Sequence, residues 1–345
     1  MPIVGGLDIH RKQITFDYLD TVTGQVQRGQ VSPADREHLR AWLARFNDRD
    51  DVAFALEGCT GWRYVAEELA AAGMTAHLAE PADTAARRGR KRHAKTDKTD
   101  ARHLRMLLAE GRLPECWIPP GYILECRALL ELYNDLRRDR TAWAQRIHAV
   151  LFHQGAPVLG EGALRTEQGV AALRAAAAAH LSAAGQLQVA TALEVIDALD
   201  ARLHVVRHQL LDAARHLAGA KALAARLYGV GPVTALAITC WLGGAGRFSS
   251  SRKAVRFAGL DVTVHSSDRK GPPGRLSRQG PPVLRWAVYE AGKTHARTSA
   301  PDHRYYAAVK DRKNSKRACL SEARKILRQA HHILAELGDD ALAAA

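Results

Sequence analysis

Paired cysteines are missing from this chain. Its five cysteines, Cys59, Cys116, Cys126, Cys240 and Cys319, are scattered and odd in number, and no Cys-x-x-Cys occurs. Neither a disulfide framework nor a zinc site is indicated by that pattern. Long uncharged apolar runs are missing too, since Arg, Glu and His interrupt even the Ala-rich middle, which excludes a transmembrane helix. The first residues, Met1-Pro2-Ile3-Val4-Gly5, lack the basic-then-apolar layout of a secretory signal. These absences imply a cytoplasmic protein with no membrane partner. Acidic residues are scarce in one region. Between Arg247 and Arg328 there are 20 Lys/Arg against 6 Asp/Glu, which accounts for the whole net charge of +14. The remainder is near neutral apart from a basic run within residues 87–98. Positive charge gathered in one region is the footprint of a polyanion site. No amphipathic helix with an aromatic anchor accompanies it, so DNA or RNA is favoured over a lipid surface.

What is present is enough chain, 345 residues with 47% hydrophobic content, for two or three domains with real cores. Residues 3–9, 13–19 and 25–31 read as three strands of a hairpin meander, with Thr23-Gly24 as a turn. Ser32-Pro33 reads as the start of a helix through Phe46, with Ser as cap and Pro in the first turn. Residues 52–58 form a buried strand ending in an acid, 62–72 a helix and 75–80 another strand. A helix then begins within Lys95-Thr96-Asp97-Lys98-Thr99-Asp100-Ala101-Arg102 and continues through Leu104, Leu107 and Leu108. The order β-β-β-α-β-α-β-α matches a ribonuclease-H-like layout, α/β in class, with helical regions to follow.

That layout brings four acids into one frame. Asp8 lies on the first, central strand and Glu57 ends the strand expected beside it. Asp97 and Asp100, three apart, share a helix face in a first turn where the helix dipole favours negative charge. A lone Asp in a buried strand is costly unless paired or metal-bound, and four converging carboxylates need cations between them. The oxygen-only donor set suits Mg²⁺ rather than zinc, and two such ions roughly 4 Å apart serve phosphoryl chemistry. Each acid taken singly also reads as an ordinary strand-end or helix-start residue. The adjacent Arg87-Arg88-Gly89-Arg90-Lys91-Arg92 supplies a phosphate-attracting arm, with Arg88, Arg90, Lys91 and Arg92 as candidate nucleic-acid contacts.

Residues 112–121 read as a linker. From Ile123 to Ala225 leucines recur at helical spacing, which predicts two long antiparallel helices. These serve either as a coiled coil for dimerisation or as a bundle within one protomer. His204 and His208 lie four apart, but no third ligand is evident, and a solvated helix face is the simpler reading. Tyr228-Gly229-Val230-Gly231-Pro232 followed by an apolar helix has the form of a helix-hairpin-helix turn. Its Gly229 and Gly231 would let backbone N–H groups approach a phosphate. A plain inter-helix turn is the alternative. Residues 257–286 interleave glycine, serine and arginine. There a serine suits attack on a phosphodiester, with Arg275, Arg278 and Arg285 neutralising charge. Passive phosphate contacts suit the same composition.

These motifs together resemble the DEDD transposases of bacterial insertion sequences, the insertion sequence 110 family, also called bridge-RNA-guided recombinases. The resemblance covers nearly the whole chain. It is most specific at the Lys95–Arg102 segment and at Gly274–Arg285, where Ser266-Ser267 is followed by spaced glycines and Leu284-Arg285. It implies a RuvC-like catalytic domain at 1–113, with Asp8, Glu57, Asp97 and Asp100 holding Mg²⁺. It further implies a helical coiled-coil region at 114–222 and a mostly helical transposase domain at 223–345. That last domain would supply a serine nucleophile, Ser267 by alignment with Ser266 as runner-up. The implied partners are donor and target DNA, a noncoding guide (bridge) RNA, and further copies of the chain in a dimer or tetramer. Two departures stand out. Asp268 follows the serine pair where the family has Gly, and Pro281-Pro282 replaces small polar residues. Other readings of the same residues are a Holliday-junction-type metal nuclease that uses only the four acids and a catalytically inactive nucleic-acid-binding derivative. An actin-like ATPase shares the opening strands, but residues 123–225 offer neither the second copy of the fold nor the adenosine pocket it needs.

Overall fold

The run Ile3-Val-Gly-Gly-Leu-Asp-Ile9 is apolar on both sides of a strand, which suits only the middle of a sheet covered on both faces. In the computed structural model, which describes residues 3–49, 51–88, 96–160, 162–262 and 276–343, it takes that position. β1 (Ile3–Ile9), β2 (Ile14–Asp20) and β3 (Val26–Val31) are followed by α1 (Arg36–Leu43), β4 (Val52–Glu57), α2 (Trp62–Ala71), β5 (Thr75–Ala79), α3 (Pro81–Ala86), α4 (Asp97–Ala109) and β6 (Glu115–Cys116). The sheet order is β3-β2-β1-β4-β5-β6. β1 to β3 are antiparallel, whereas β4 runs parallel to β1 and β5 parallel to β4. This mixed α/β arrangement is consistent with a ribonuclease-H-like fold.

Strand period 2 divides β1 into two faces. One face packs with Phe16, Tyr18, Trp42, Phe46 and Phe54, whose rings lie 4.7–6.5 Å apart at their centroids. The other face carries small residues. Gly6, Ala55 and Ala79 leave room for α4, whose Leu104 packs there. A Cβ on Gly6 would sit 2.1 Å from the Ala101 carbonyl oxygen and 2.7 Å from the Arg105 nitrogen, so the helix rests on bare backbone. Asp17, paired in register with Gly6, is buried on the same side and is bridged by Arg105 of α4 and Arg28 of β3.

Three local expectations are corrected. The first helix begins at Arg36, capped by Asp35, whose side chain accepts from the His38 N–H; the Ser32–Pro33 peptide is cis and lies outside the helix. The carboxylate cap outcompetes the serine hydroxyl. A short helix, α3, intervenes before α4, started by Pro81 behind a Glu80 cap. Within the supposed linker, Glu115–Cys116 pairs with β5, and Ile118 packs on the first unit's core.

Residues 119–343 form a second compact, helical unit. It comprises α5 (Gly121–His153), α6 (Glu167–His180), α7 (Ala183–Arg215), α8 (Ala218–Arg226), α9 (Pro232–Leu242), α10 (Ser251–Phe257), α11 (Pro282–Lys293), α12 (His303–Arg312) and α13 (Ser315–Leu337). α5 and α7 lie antiparallel, joined through Ile147, Leu151, Val189 and Leu193 and by an Arg140–Asp200 bridge of 2.5 Å. Helix α9 is apolar all round and buried from Ala235 to Leu242, as a central helix must be. His204 and His208 face solvent on α7. Pro281-Pro282 starts α11, Pro281 standing at the cap and Pro282 in the first turn, where no backbone donor is needed. Among the described residues no helix is long and apolar enough to cross a membrane.

Candidate active site

Register alone brings two of the acids together. Leu7 pairs with Leu56, so the next residues, Asp8 and Glu57, come off the neighbouring ends of parallel strands. By strand parity both belong to the face that carries Gly6 and Ala55, the face covered by α4. α4 begins there. Thr96 caps it, accepting from the Thr99 N–H, while the Thr99 hydroxyl reaches back to the Thr96 N–H. This capping box starts the helix with Asp97 and Asp100 in its first turn.

Asp8, His10 and Asp97 offer ligand atoms within 4.8 Å of one another. His10 Nε2 lies 3.0 Å from an Asp8 oxygen and 3.4 Å from Asp97, and Gln13 donates to Asp97 at 3.2 Å. On the other flank, Arg88 bridges Asp100 at 2.6 Å and Glu57 at 3.4 Å. Asp8 carries the strain of the arrangement. Burial pushes its carboxyl pKa up, His10 opposes that, and the charges of Asp100 and Asp97 raise it further. The contrast with Asp17 is instructive. Both acids lie under α4, yet Asp17 is matched by two arginines, whereas Asp8 meets His10 and feels the charges of Asp97 and Asp100. Hard oxygen donors gathered in this way form a carboxylate cluster that fits a divalent cation.

Sequence reasoning assigned Arg88 to nucleic acid; the structure places it inside the acid cluster as an ion-pair partner. His10 and Gln13 were missed. The signal for His10 was its position just beyond the end of β1, two residues from Asp8. Arg90, Lys91, Arg92, Ser266, Ser267, Asp268 and Arg275 lie outside the described residues.

In the second unit, residues 227–231, with Gly229 and Gly231, join α8 to α9. Gly229 has φ +75°, and a Cβ there would meet the Thr294 hydroxyl at 2.0 Å, so its smallness serves internal packing. Gly231 caps α9 and has open space before it. Arg278 is exposed. Arg285 is used by the fold: its Nη1 donates to the carbonyls of Ala258, Gln279 and Gly280, tying down the base of the Ser/Arg/Gly-rich segment. Burial and the charge of Arg278 lower its pKa.

Two family models match the chain. A DEDD-type model of the IS110 group, described as "Transposase", matches residues 5–153, and one described as "Transposase IS116/IS110/IS902 family" matches residues 221–307. The chain belongs to the IS110 family of DNA transposases. The first match takes in all four acids. The second takes in the glycine turn, the serine pair and α11. A "Probable family 20 transposase" from Pseudomonas aeruginosa is 26% identical over 283 residues, spanning 79% of this chain and 82% of that protein. This transposase therefore acts on DNA, with a carboxylate cluster in the stretch covered by its DEDD match.

Proposed function

We propose that this transposase is an RNA-guided recombinase that cuts and exchanges DNA strands with Mg²⁺ carboxylates and a serine nucleophile. The reading rests on one observation above others: Asp8 is held beside Asp97 with its pKa raised, next to Glu57 and Asp100. Asp8, Glu57, Asp97 and Asp100 are the residues that would hold Mg²⁺. The ions, when bound, would stabilise charge on the scissile phosphate and activate the attacking oxygen. His10 and Gln13 orient Asp8 and Asp97, and Arg88 balances Asp100 and Glu57. Ser267, with Ser266 as runner-up, would attack the phosphodiester through its hydroxyl oxygen, displacing one DNA oxygen, which takes up a proton and leaves as a hydroxyl; the serine would stay joined to the phosphate until a DNA hydroxyl displaces it in strand exchange. Residues 1–113 would act as a RuvC-like domain, 114–222 as a helical region for self-association, and 223–345 as the domain bearing the serine. Arg90, Lys91, Arg92, Arg275 and Arg278 would contact phosphates, and donor DNA, target DNA and a noncoding guide RNA would be the partners of a homotetramer.

Asp268, in place of glycine after the serine pair, favours a second reading, a Holliday-junction-type nuclease that uses the acids alone. One experiment separates the two. A nicked DNA substrate is incubated with the protein and its co-purified RNA in Mg²⁺, then resolved under denaturing conditions. The recombinase gives a covalent protein–DNA adduct that vanishes in both Ser267→Ala and Asp97→Asn. Strand cleavage surviving in Ser266→Ala/Ser267→Ala, with no adduct in the wild type, establishes the nuclease instead.

A further inference from the structure

A second cluster of metal-ligating groups lies in the helical unit, apart from the four acids. His295, in the turn after α11, faces Glu322 of α13 and Asp302 at the start of α12, and one ligand atom from each lies within 4.8 Å of the others. His295 is 3% exposed and Glu322 0%. Neither His295 ring nitrogen and neither Glu322 oxygen has a hydrogen-bond partner. Buried polar groups left in that state are costly, and they are rare in native structures.

The spacing identifies what is missing between them. His295 Nδ1 stands 3.6 Å from Glu322 Oε2, too far for a hydrogen bond. Two ligands on one tetrahedral zinc ion, each bonded at about 2.0–2.2 Å, stand roughly 3.3–3.6 Å apart. We propose that His295, Asp302 and Glu322 form a zinc site, one ion per chain, with the fourth position open to a water molecule.

The surroundings agree with a metal ligand set. Lys325 bridges Asp302 at 2.8 Å and fixes its carboxylate, and no hydrogen bond reaches the His295 ring nitrogens or the Glu322 oxygens. Mixed nitrogen and oxygen donors favour zinc over the magnesium suited to the all-carboxylate cluster. The site joins the end of α11 to α12 and α13 directly behind the glycine turn. The Tyr228 ring lies edge-on to His295 at 5.3 Å, and Gly229 abuts Thr294. The ion would thus brace the turn from within.

The full-length protein is stripped with chelator, dialysed and titrated with Zn²⁺, and in parallel with Co²⁺ as a visible probe. The Asp8→Asn/Asp97→Asn variant removes the other cluster from the measurement. In that background we expect one tightly bound Zn²⁺ per chain, a Co²⁺ absorption spectrum of tetrahedral type, and a melting temperature raised by about 5 °C at saturating Zn²⁺. Adding Glu322→Gln or His295→Gln should weaken zinc affinity at least tenfold and remove the thermal shift. Failure of the Asp8→Asn/Asp97→Asn protein to bind or be stabilised by Zn²⁺ overturns the proposal, whether or not the further variants fold. Equal zinc binding after Glu322→Gln also overturns it. Neither result bears on DNA cleavage.

Discussion

Asp8 and Asp17 show how one residue type takes opposite roles under a single helix. Asp17 is enclosed by Arg105 and Arg28, and its removal would leave Arg105, itself nearly buried, without a counter-ion. Asp17→Ala should therefore destabilise the first unit by roughly 3–5 kcal/mol in urea titrations. A loss below 1 kcal/mol would mean that the pair is incidental. Asp8 is the reverse case. An acid whose pKa is higher in the folded chain holds its proton more tightly there than when unfolded. Its contribution is favourable below the unfolded value of about 3.9 and is lost as pH rises through the raised folded value. In chelator at neutral pH, Asp8→Asn should melt above the wild type, and the gap should close as pH falls toward about 4. Thermal melts across that range test the sign, and a variant that melts lower at neutral pH would refute it. Divalent cation should narrow the same gap by stabilising the wild type alone.

At the scale of an element, α4 is the component that sets the site. Its position depends on Gly6 beneath it, and its first turn on the Thr96–Thr99 capping box. Loss of the cap frays the turn that carries Asp97 and Asp100. Thr96→Ala should cost about 1 kcal/mol in stability and should lower DNA cleavage by more than that stability loss explains. Activity unchanged beside the expected stability loss would show that the acids do not depend on the cap. In the helical unit, Arg285 and the two prolines before α11 show a comparable economy. Arg285, a candidate nucleic-acid contact, also holds a loop base, and the two prolines start a helix.

For the whole molecule, charge is the relevant quantity. The surplus of +14 resides within residues 247–328, while the first unit carries the carboxylate cluster. DNA binding should be dominated by phosphate contacts. For 6–10 such contacts, affinity measured by filter binding should fall roughly 10³–10⁵-fold between about 50 and 200 mM salt. A flat response would contradict a phosphate-led interface. Charge substitution at Arg278, which is exposed, should reduce the salt slope by about one.

Much of this was legible in the chain before any coordinates. Strand alternation and short apolar runs marked the strands, and the Asp-x-x-Asp spacing set two acids on one helix face. Local periodicity suffices there because each element buries a face that its own residues define. The β6 pairing and the ion pairs of Arg88 were not legible, because each depends on what lies opposite across tens of residues. The sequence by itself determined which side chains could act, through residue type and period. Only the tertiary structure decided which of them meet: Asp8 with Asp97, Arg88 with Asp100, and His295 with Glu322. Burial and spacing in three dimensions, rather than order along the chain, set the cost of leaving a charge unmatched.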